Sequence, residues 1–415
     1  MMTESKESDS EPNNEKKIAE TIERVKSAAN YCYDCNRCVT VCPVSHLGVF
    51  YPRDLINDLT YLSLEKAMEK NNIWECLTCG QCSIYCPMTK DNAGVRIPEL
   101  VLELRKLYAK DETQSEKLTS CETHDGIFPI ISRIMAESPT PTNKLGFLEK
   151  SGLKTATEGE IAYFVGCLPL MEDIIYNFKV DYTDIPKTII GLLNGAEITP
   201  VVLNEKCCGH DLYWSKGDVE SFKKLAEYNI KLYKNAGVKT IIVACAEGYR
   251  TWKYDYPQYV DDFDFEVFHF TEFFLKNDIL DSIRFPMENE IKVTYHDACR
   301  LGRLGGKLYD APRELLKKIP GIKLIEMQNI KDDANCCGVS AFSCCNEYTK
   351  LLRKMRIEEA VETGADYLIV PCVKCLTHFN CYLSEPSLDE NHRKIKDSLQ
   401  VVDLAAFIGK ILFLV

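Results

Sequence analysis

Two pairs of adjacent cysteines, each followed by glycine, constrain this chain more than any other feature. The second half holds a set of five cysteines: Cys299, Cys336, Cys337, Cys372 and Cys375. The first half repeats the pattern with four, and Gly248 stands where a fifth would be: Cys167, Cys207, Cys208 and Cys245. Adjacent cysteines fit a disulfide framework poorly, whereas two neighbouring thiolates suit two irons of one cluster. The pattern therefore predicts metal sites built from distant parts of the chain.

The composition supports metal binding over disulfides. The chain has 415 residues, of which 21 are cysteine and 46% are hydrophobic, enough for two to four domains with real cores. Residues 1–14 are polar and contain no apolar run typical of a signal peptide. We therefore expect a cytoplasmic protein whose spaced cysteines bind metal. The net charge of −12 argues against a nucleic-acid groove, so no nucleic-acid partner is expected.

The chain contains no run of about 20 apolar residues, the length that crosses a bilayer. The run from Leu404 to Val415 is apolar but short. It is interpreted either as a core or partner-facing helix or as a surface foot on a membrane complex. The expected location is cytoplasmic. The alternative is peripheral attachment to the inner face of the membrane through a partner.

The N-terminal part carries two runs with the spacing Cys-x2-Cys-x2-Cys-x3-Cys-Pro. They are Cys32, Cys35, Cys38 and Cys42, then Cys76, Cys79, Cys82 and Cys86. In two-cluster ferredoxins, three cysteines of each run hold one 4Fe–4S cube and the fourth serves the other cluster. We therefore predict one cube on Cys32, Cys35, Cys38 and Cys86 and a second on Cys76, Cys79, Cys82 and Cys42. Zinc, which prefers pairs of Cys-x2-Cys elements, is a poor alternative.

The predicted organisation is a small helical module followed by a duplicated α/β unit, an α+β fold overall. The expected segments are a disordered tail (1–15), the cysteine-rich module (16–110), a connector (111–158) and two repeats (159–285 and 286–415). In each repeat one strand precedes the first cysteine and another precedes a later one: 161–165 and 241–244, then 291–295 and 367–370. Long helices are predicted at 219–235 and 347–361, each followed by glycine. Strands that alternate with helices predict parallel sheets, whose carboxyl ends gather functional sites.

These motifs resemble those of heterodisulfide reductase. The two repeats resemble the Cys-Cys-Gly domains of its cluster-bearing subunits, and the N-terminal module, with Ile73-Trp74-Glu75-Cys76-Leu77-Thr78-Cys79-Gly80, resembles its small ferredoxin-like subunit. Both on one chain look like the fused D-subunit family and related subunits of membrane redox complexes. The resemblance implies a noncubane 4Fe–4S cluster on the five-cysteine set, which would be the catalytic site. In that enzyme two such clusters flank a disulfide and cleave it one electron at a time.

The missing cysteine at Gly248 argues against a paired-cluster mechanism here. The set of Cys167, Cys207, Cys208 and Cys245 is therefore expected to be a relay or structural site, holding a different cluster, a zinc ion or nothing. Substrate chemistry is expected at the five-cysteine set.

Three functions remain open on the sequence. The first is a disulfide reductase fed through the two cubes. The second is an electron-transfer subunit of a flavoprotein dehydrogenase or membrane redox complex, with no substrate of its own. The third is a structural module. No Gly-x-Gly-x-x-Gly follows a strand, so electrons are expected from a partner: a flavoprotein, a cytochrome b-like membrane subunit or a hydrogenase.

Several polar residues beside the cysteines have alternative roles. His296-Asp297 and His210-Asp211 are interpreted as proton donors or, more simply, as loop hydrogen-bonding residues. Arg300 and Arg303 either balance cluster charge, meet an anionic substrate or form a solvated face. Four cysteines are left over, of which Cys345 and Cys381 flank the second set and Cys121 and Cys344 have no assigned role.

Overall fold

The fold follows the predicted order of a helical module and two α/β repeats. The computed structural model describes residues 11–90, 93–109, 117, 126–139, 143–175, 178, 180–281, 283–286, 289–339, 345–387 and 389–412. Within these residues, the α+β class and the parallel sheets predicted from the sequence are confirmed.

The N-terminal module consists of short helices around a small apolar core. The helices are α1 (Glu11–Ala29), α2 (Arg37–Val41), α3 (Pro52–Tyr61), α4 (Leu64–Lys70), α5 (Gln81–Tyr85) and α6 (Ile97–Tyr108), and the hairpin strands are β1 (Thr89–Lys90) and β2 (Ala93–Gly94). Proline opens α3 and α6, where its missing N–H is not needed. Leu55, Leu59 and Trp74 lie in the core. The pairing of α2 with α5 brings the two cysteine runs together.

Helix α1 begins five residues earlier than expected. Residues 11–15, assigned from the sequence to the disordered tail, belong to α1. Pro12 falls in the first turn, where proline favours helix formation. Residues 1–10 lie outside the described part of the chain. The expected connector contains α7 (Ile127–Glu137), whose Phe128 and Met135 are buried.

The first repeat is a three-stranded parallel sheet covered by helices. Its strands are β3 (Ile161–Phe164), β4 (Thr240–Val243) and β5 (Glu266–His269), in the order β3-β4-β5. Its helices are α8 (Leu168–Ile174), α9 (Asp184–Gly195), α10 (Val219–Asn235), α11 (Ala246–Arg250) and α12 (Phe270–Lys276). Helix α10 has the predicted bounds, because the Asp218 side chain accepts a hydrogen bond from Ser221 N at its start and Gly237 takes a positive φ after its end.

The second repeat is a four-stranded parallel sheet in the order β7-β6-β8-β9. Its strands are β6 (Ile291–Tyr295), β7 (Ile322–Leu324), β8 (Tyr367–Val370) and β9 (Gln400–Asp403). Its helices are α13 (Asp310–Lys317), α14 (Glu347–Glu362), α15 (Val373–Ser384), α16 (Glu390–Ser398) and α17 (Leu404–Ile411). The strands that precede Cys299 and Cys372 are neighbours in register, so both cysteines leave the same edge of the sheet.

The two repeats pack with approximate two-fold symmetry. The last helix of the second repeat, α17, packs on α9 of the first, and the last helix of the first, α12, packs on α13 of the second. Leu404, Phe407 and Ile408 of α17 are buried, which confirms the interpretation of this run as a core helix; residues 413–415 lie outside the described part. No helix within the described ranges has both the length and the apolar character needed to cross a membrane.

Candidate metal centre

The first ferredoxin-like cysteine set lies at the surface of the N-terminal module. Cys35 is exposed and Cys32 is half-buried. Burial, then the nearby thiols of Cys32 and Cys86, raise the pKa of Cys38 to about 12. The fourth cysteine of the second run therefore lies with the first run, as predicted. Thiols that hold their protons so firmly become thiolates when a metal replaces the proton.

The second ferredoxin-like set is buried and encloses a cavity. Cys42, Cys76, Cys79 and Cys82 line a cavity of about 20 Å³. Burial, then Cys79, Cys76 and Cys42, raise the pKa of Cys82 well above its usual range. No three of these sulfurs lie within 4.8 Å of one another among the described residues. Four thiols around one cavity are soft donors of the kind that hold an iron–sulfur cluster.

The five cysteines of the second repeat converge from three loops. The Cys375 thiol donates to Cys337 Sγ at 3.3 Å and also hydrogen-bonds Cys372. Cys299 lies close to both members of the Cys336-Cys337 pair. Except for the half-buried Cys299, these residues are buried. Five soft donors, four of them buried and none in a disulfide, are a donor set suited to an iron–sulfur cluster.

The buried ferredoxin-like set and the five-cysteine set touch each other. Cys79 and Cys336 lie in the same buried cluster, and each thiol shifts the pKa of the other. Arg303 lies at the same junction, where its Nε donates to the carbonyl of Cys79 at 2.9 Å and its Nη1 donates to that of Ala334 at 2.8 Å. The two sets are therefore adjacent, with no intervening layer of protein.

Buried arginines join the module to the repeats. Arg300 donates to the side chain of Thr78 at 2.8 Å and to its carbonyl, and its Nε donates to His210 Nε2 at 3.0 Å. Arg300 is 1% exposed and Arg303 is 9% exposed. The solvated-face alternative for these arginines is therefore wrong, because their five-donor guanidinium groups satisfy backbone carbonyls of the cysteine loops. Both place positive charge beside the thiols, which favours the charge-balancing role.

A third arginine was missed from the sequence. Arg105 of α6 donates to the carbonyls of Ile73, Trp74, Cys76 and Trp214 at 2.7–3.1 Å. These contacts join the loop of the second ferredoxin-like run to the first repeat. The available signal was the position of Arg105, which is the one charged residue on the apolar face of α6.

The four-cysteine set of the first repeat borders a larger cavity. Cys167, Cys207, Cys208 and Cys245 line a space of about 40 Å³, twice that of the buried ferredoxin-like set. Phe128 and Met135 of α7 form part of its apolar wall. No three of the four sulfurs lie within 4.8 Å of one another among the described residues.

The two repeats bring their cysteine sets into contact. The Cys245 thiol of the first repeat lies near that of Cys372 of the second, and each shifts the pKa of the other. Lys374, another residue missed from the sequence, extends from the second repeat into the first set, where it pairs with Glu247 and Asp211. A lysine and a glutamate at equivalent positions of the two motifs were the signal for this pairing.

The histidine–aspartate pairs have mainly structural partners. Both Asp297 carboxylate oxygens accept from Arg313 at 2.7 Å. Burial, then Arg356, lowers the pKa of His296 to about 3, and Arg356 Nε donates to its Nδ1 at 3.2 Å. The neutral ring therefore carries its proton on Nε2 and can donate a hydrogen bond, but it holds no ionisable proton near pH 7. One ring nitrogen of His296 lies within 4.8 Å of the sulfurs of Cys337 and Cys375.

His210 is likewise held neutral. Burial, then the charge of Arg300, lowers its pKa well below the usual range. Its Nδ1 pairs with Thr251 Oγ1 at 2.9 Å. Of the leftover cysteines, Cys345 and Cys381 lie close enough to interact, whereas Cys121 and Cys344 lie outside the described residues. All nineteen described cysteines are free thiols.

Comparison with known proteins agrees with this architecture. The model of a family described as a cysteine-rich domain matches residues 161–249 and 293–380. A 4Fe-4S dicluster domain matches residues 27–89. A solved structure of a hypothetical protein from Helicobacter pylori has a similar fold, with a TM-score of 0.51 at 12% identity over 96% of this chain and 72% of that one.

Two curated relatives cover most of the chain. The D-type subunit of dihydromethanophenazine:CoB–CoM heterodisulfide reductase from Methanosarcina acetivorans is 27% identical over 83% of this chain and 78% of that protein. EtfAB:quinone oxidoreductase from Syntrophomonas wolfei is 27% identical over 78% of this chain but only 45% of that protein. The chain therefore belongs to the iron–sulfur oxidoreductase subunits that join a 4Fe-4S dicluster domain to two cysteine-rich domains, and it resembles the D-type subunit of heterodisulfide reductase.

Proposed function

We propose that this chain carries electrons from a redox partner through two 4Fe–4S cubes to a noncubane cluster on the five-cysteine set, where a disulfide is reduced. The observation that carries the proposal is the contact between Cys79 and Cys336. This contact supports the proposal, because an electron on the second cube would then lie next to the five-cysteine set. Cys35 of the first predicted cube is exposed, so a redox partner can approach that cube.

The reaction needs two electrons and two protons, which break one S–S bond and leave two thiols. A cluster supplies the electrons one at a time. The chain contributes five thiols, of which Cys299 is half-buried and Cys336, Cys337, Cys372 and Cys375 are buried. It also contributes the His296 ring beside Cys337 and Cys375. A neutral ring that donates from Nε2 can hold a sulfur ligand in place.

A second candidate is an electron-transfer subunit that passes electrons towards quinone and has no substrate of its own. The relative named EtfAB:quinone oxidoreductase favours it. So does the four-cysteine set of the first repeat, since a paired-cluster mechanism would need a complete one. Under either function the partner is a flavoprotein, a cytochrome b-like membrane subunit or a hydrogenase, and the chain works on the cytoplasmic side of the membrane or free in the cytoplasm.

The two candidates are separated by anaerobic oxidation of a reduced viologen dye in the presence of thiol disulfides. Disulfide-dependent oxidation that is lost in Cys375→Ser supports the reductase. Cys381→Ser is the matched control, because it removes a thiol from the same helix, α15, outside the five-cysteine set. If the iron-loaded protein fails to oxidise the dye with every disulfide that is tested, the electron-transfer subunit becomes the better proposal.

The first-repeat set is proposed to be a relay or structural site that lacks one ligand. Gly248→Cys should raise the iron and acid-labile sulfide content above that of the parent. A Cβ at Gly248 would lie 3.0 Å from Val243 Cγ1, so the valine must shift slightly. Gly248→Ala makes the same contact without a thiol and is the control. Equal cluster content in Gly248→Cys and the parent would contradict the proposal.

A further inference from the structure

Two short loops face each other where the repeats meet. One begins at Cys245 and leads into α11, and the other begins at Cys372 and leads into α15. The Ala246 amide donates to the Pro371 carbonyl at 3.1 Å, and the Cys245 and Cys372 thiols lie near each other. Equivalent positions of the two motifs therefore meet across the approximate two-fold axis.

The third position of each loop carries a charge, and the two charges are opposite. Lys374 Nζ lies 2.5 Å from Glu247 Oε2 and also contacts the Asp211 carboxylate. Lys374 is 6% exposed and Glu247 is 2% exposed. The cation of the second loop is thus held inside the first repeat, in the cavity lined by the four-cysteine set.

The ammonium of Lys374 lies within electrostatic reach of both cysteine sets. Its neighbours include Cys167, Cys207 and Cys208 of the first repeat and Cys375 of the second. Asp211 and Glu247 together outnumber it by one formal charge. An electron on a cluster bound at Cys375 would add negative charge, and a neighbouring cation would favour that reduced state.

Stability alone is a weak reason for such an arrangement. Burying an ion pair costs desolvation energy that its attraction often fails to recover. An apolar pair of similar volume would fill the same space between the loops. The position of Lys374 between two sets of metal-binding thiols gives the charge a different use.

We propose that Lys374 is a positioning residue that couples the two cysteine sets: pairing with Glu247 holds the first-repeat loop against Cys372, and its charge raises the reduction potential of the cluster on the five-cysteine set. The inference rests on the proposed cluster at that set. Lys374 thus has a role although it is not a metal ligand. Through Lys374, the four-cysteine set of the first repeat is coupled electrostatically to the five-cysteine set of the second.

The test is an anaerobic, EPR-monitored redox titration of the full-length protein and its variants. Lys374→Gln removes the positive charge and should shift the midpoint potential of the second-repeat cluster to a more negative value. Glu247→Gln removes the opposing charge and should shift it to a more positive value. Lys374→Arg keeps the charge and should titrate like the parent. Lys323→Gln, which breaks the exposed pair with Glu290 (Nζ–Oε1 3.6 Å), is the matched control and should change nothing.

Iron and sulfide content, measured first, separates this inference from the function on which it rests. If Cys375→Ser has the same EPR signals and the same iron content as the parent, the cluster on the five-cysteine set is refuted. If the cluster is present, unchanged potentials in both Lys374→Gln and Glu247→Gln would overturn the coupling role. If Lys374→Gln fails to retain its cluster, the positive shift in Glu247→Gln still decides the question, and its absence counts against the proposal.

Discussion

Gly338 ends the Cys336-Cys337 turn, and we expect its replacement by alanine to loosen the five-cysteine set. Its φ is +89°, and an added Cβ would lie 2.4 Å from the Thr349 carbonyl oxygen of α14. Gly364 is the matched control, because its φ is +66° and an added Cβ there meets open space. Both substitutions incur the left-handed backbone penalty of about 1–2 kcal/mol. Only Gly338→Ala also forces a helix backbone away, which typically costs about 1–3 kcal/mol more.

The measurement is anaerobic urea unfolding of the two variants and the parent, with iron content determined on the same samples. Gly338→Ala should be less stable than Gly364→Ala by about 1–3 kcal/mol. It should also lose iron, because the Gly338 amide donates to Cys336 Sγ at 3.4 Å and moves with the turn. Equal destabilisation and equal iron content in the two alanine variants would refute the reasoning that close approach of α14 shapes this turn.

Three further outcomes are expected. Arg105→Met leaves four carbonyls without their donor. At about 1 kcal/mol or more per carbonyl, urea unfolding should show a destabilisation of about 4 kcal/mol or more; a change below about 1 kcal/mol would show that water replaces the guanidinium. In iron analysis, Cys35→Ser combined with Cys86→Ser should lose about four irons, because both cysteines are predicted to hold the same cube. Cys35→Ser combined with Cys42→Ser should lose about eight, because these two cysteines are predicted to hold different cubes; the opposite result would mean that each run holds its own cluster. Burial raises the pKa of Asp403 to about 7, so the folded state retains a proton that the unfolded chain releases above about pH 4. The free energy of unfolding should therefore fall as pH rises from about 4 to 7, and Asp403→Asn should flatten that slope. An unchanged slope in Asp403→Asn would contradict this assignment.

Much of the fold could be predicted because its signals are local. Apolar runs before Cys245 and Cys372 indicated buried parallel strands, and both are central or next to central in their sheets. Asp218 and Gly237 marked the ends of α10 because a side-chain cap and a positive φ act within one turn. The start of α1 was placed too late, since a polar sequence can be helical without an apolar periodicity.

The environment of the charged residues could not be predicted. Arg300 was equally consistent with solvent exposure, and its burial depends on Thr78 and His210, each from a different part of the chain. Lys374 and Glu247 are far apart in the chain, and their pairing depends on how two sheets pack across an axis. Such contacts leave no periodic signal in the sequence.

The amino-acid sequence alone determined which cysteines belong to the same motif, because the Cys-x2-Cys-x2-Cys-x3-Cys-Pro spacing and the repeated Cys-Cys-Gly pattern can be read directly from it. Only the tertiary structure decided the order of those sets in space. Cys79 meets Cys336, and Cys245 meets Cys372, through packing between modules. Side-chain contacts between distant segments arise from the shapes of folded surfaces, and these exist only once each module has formed.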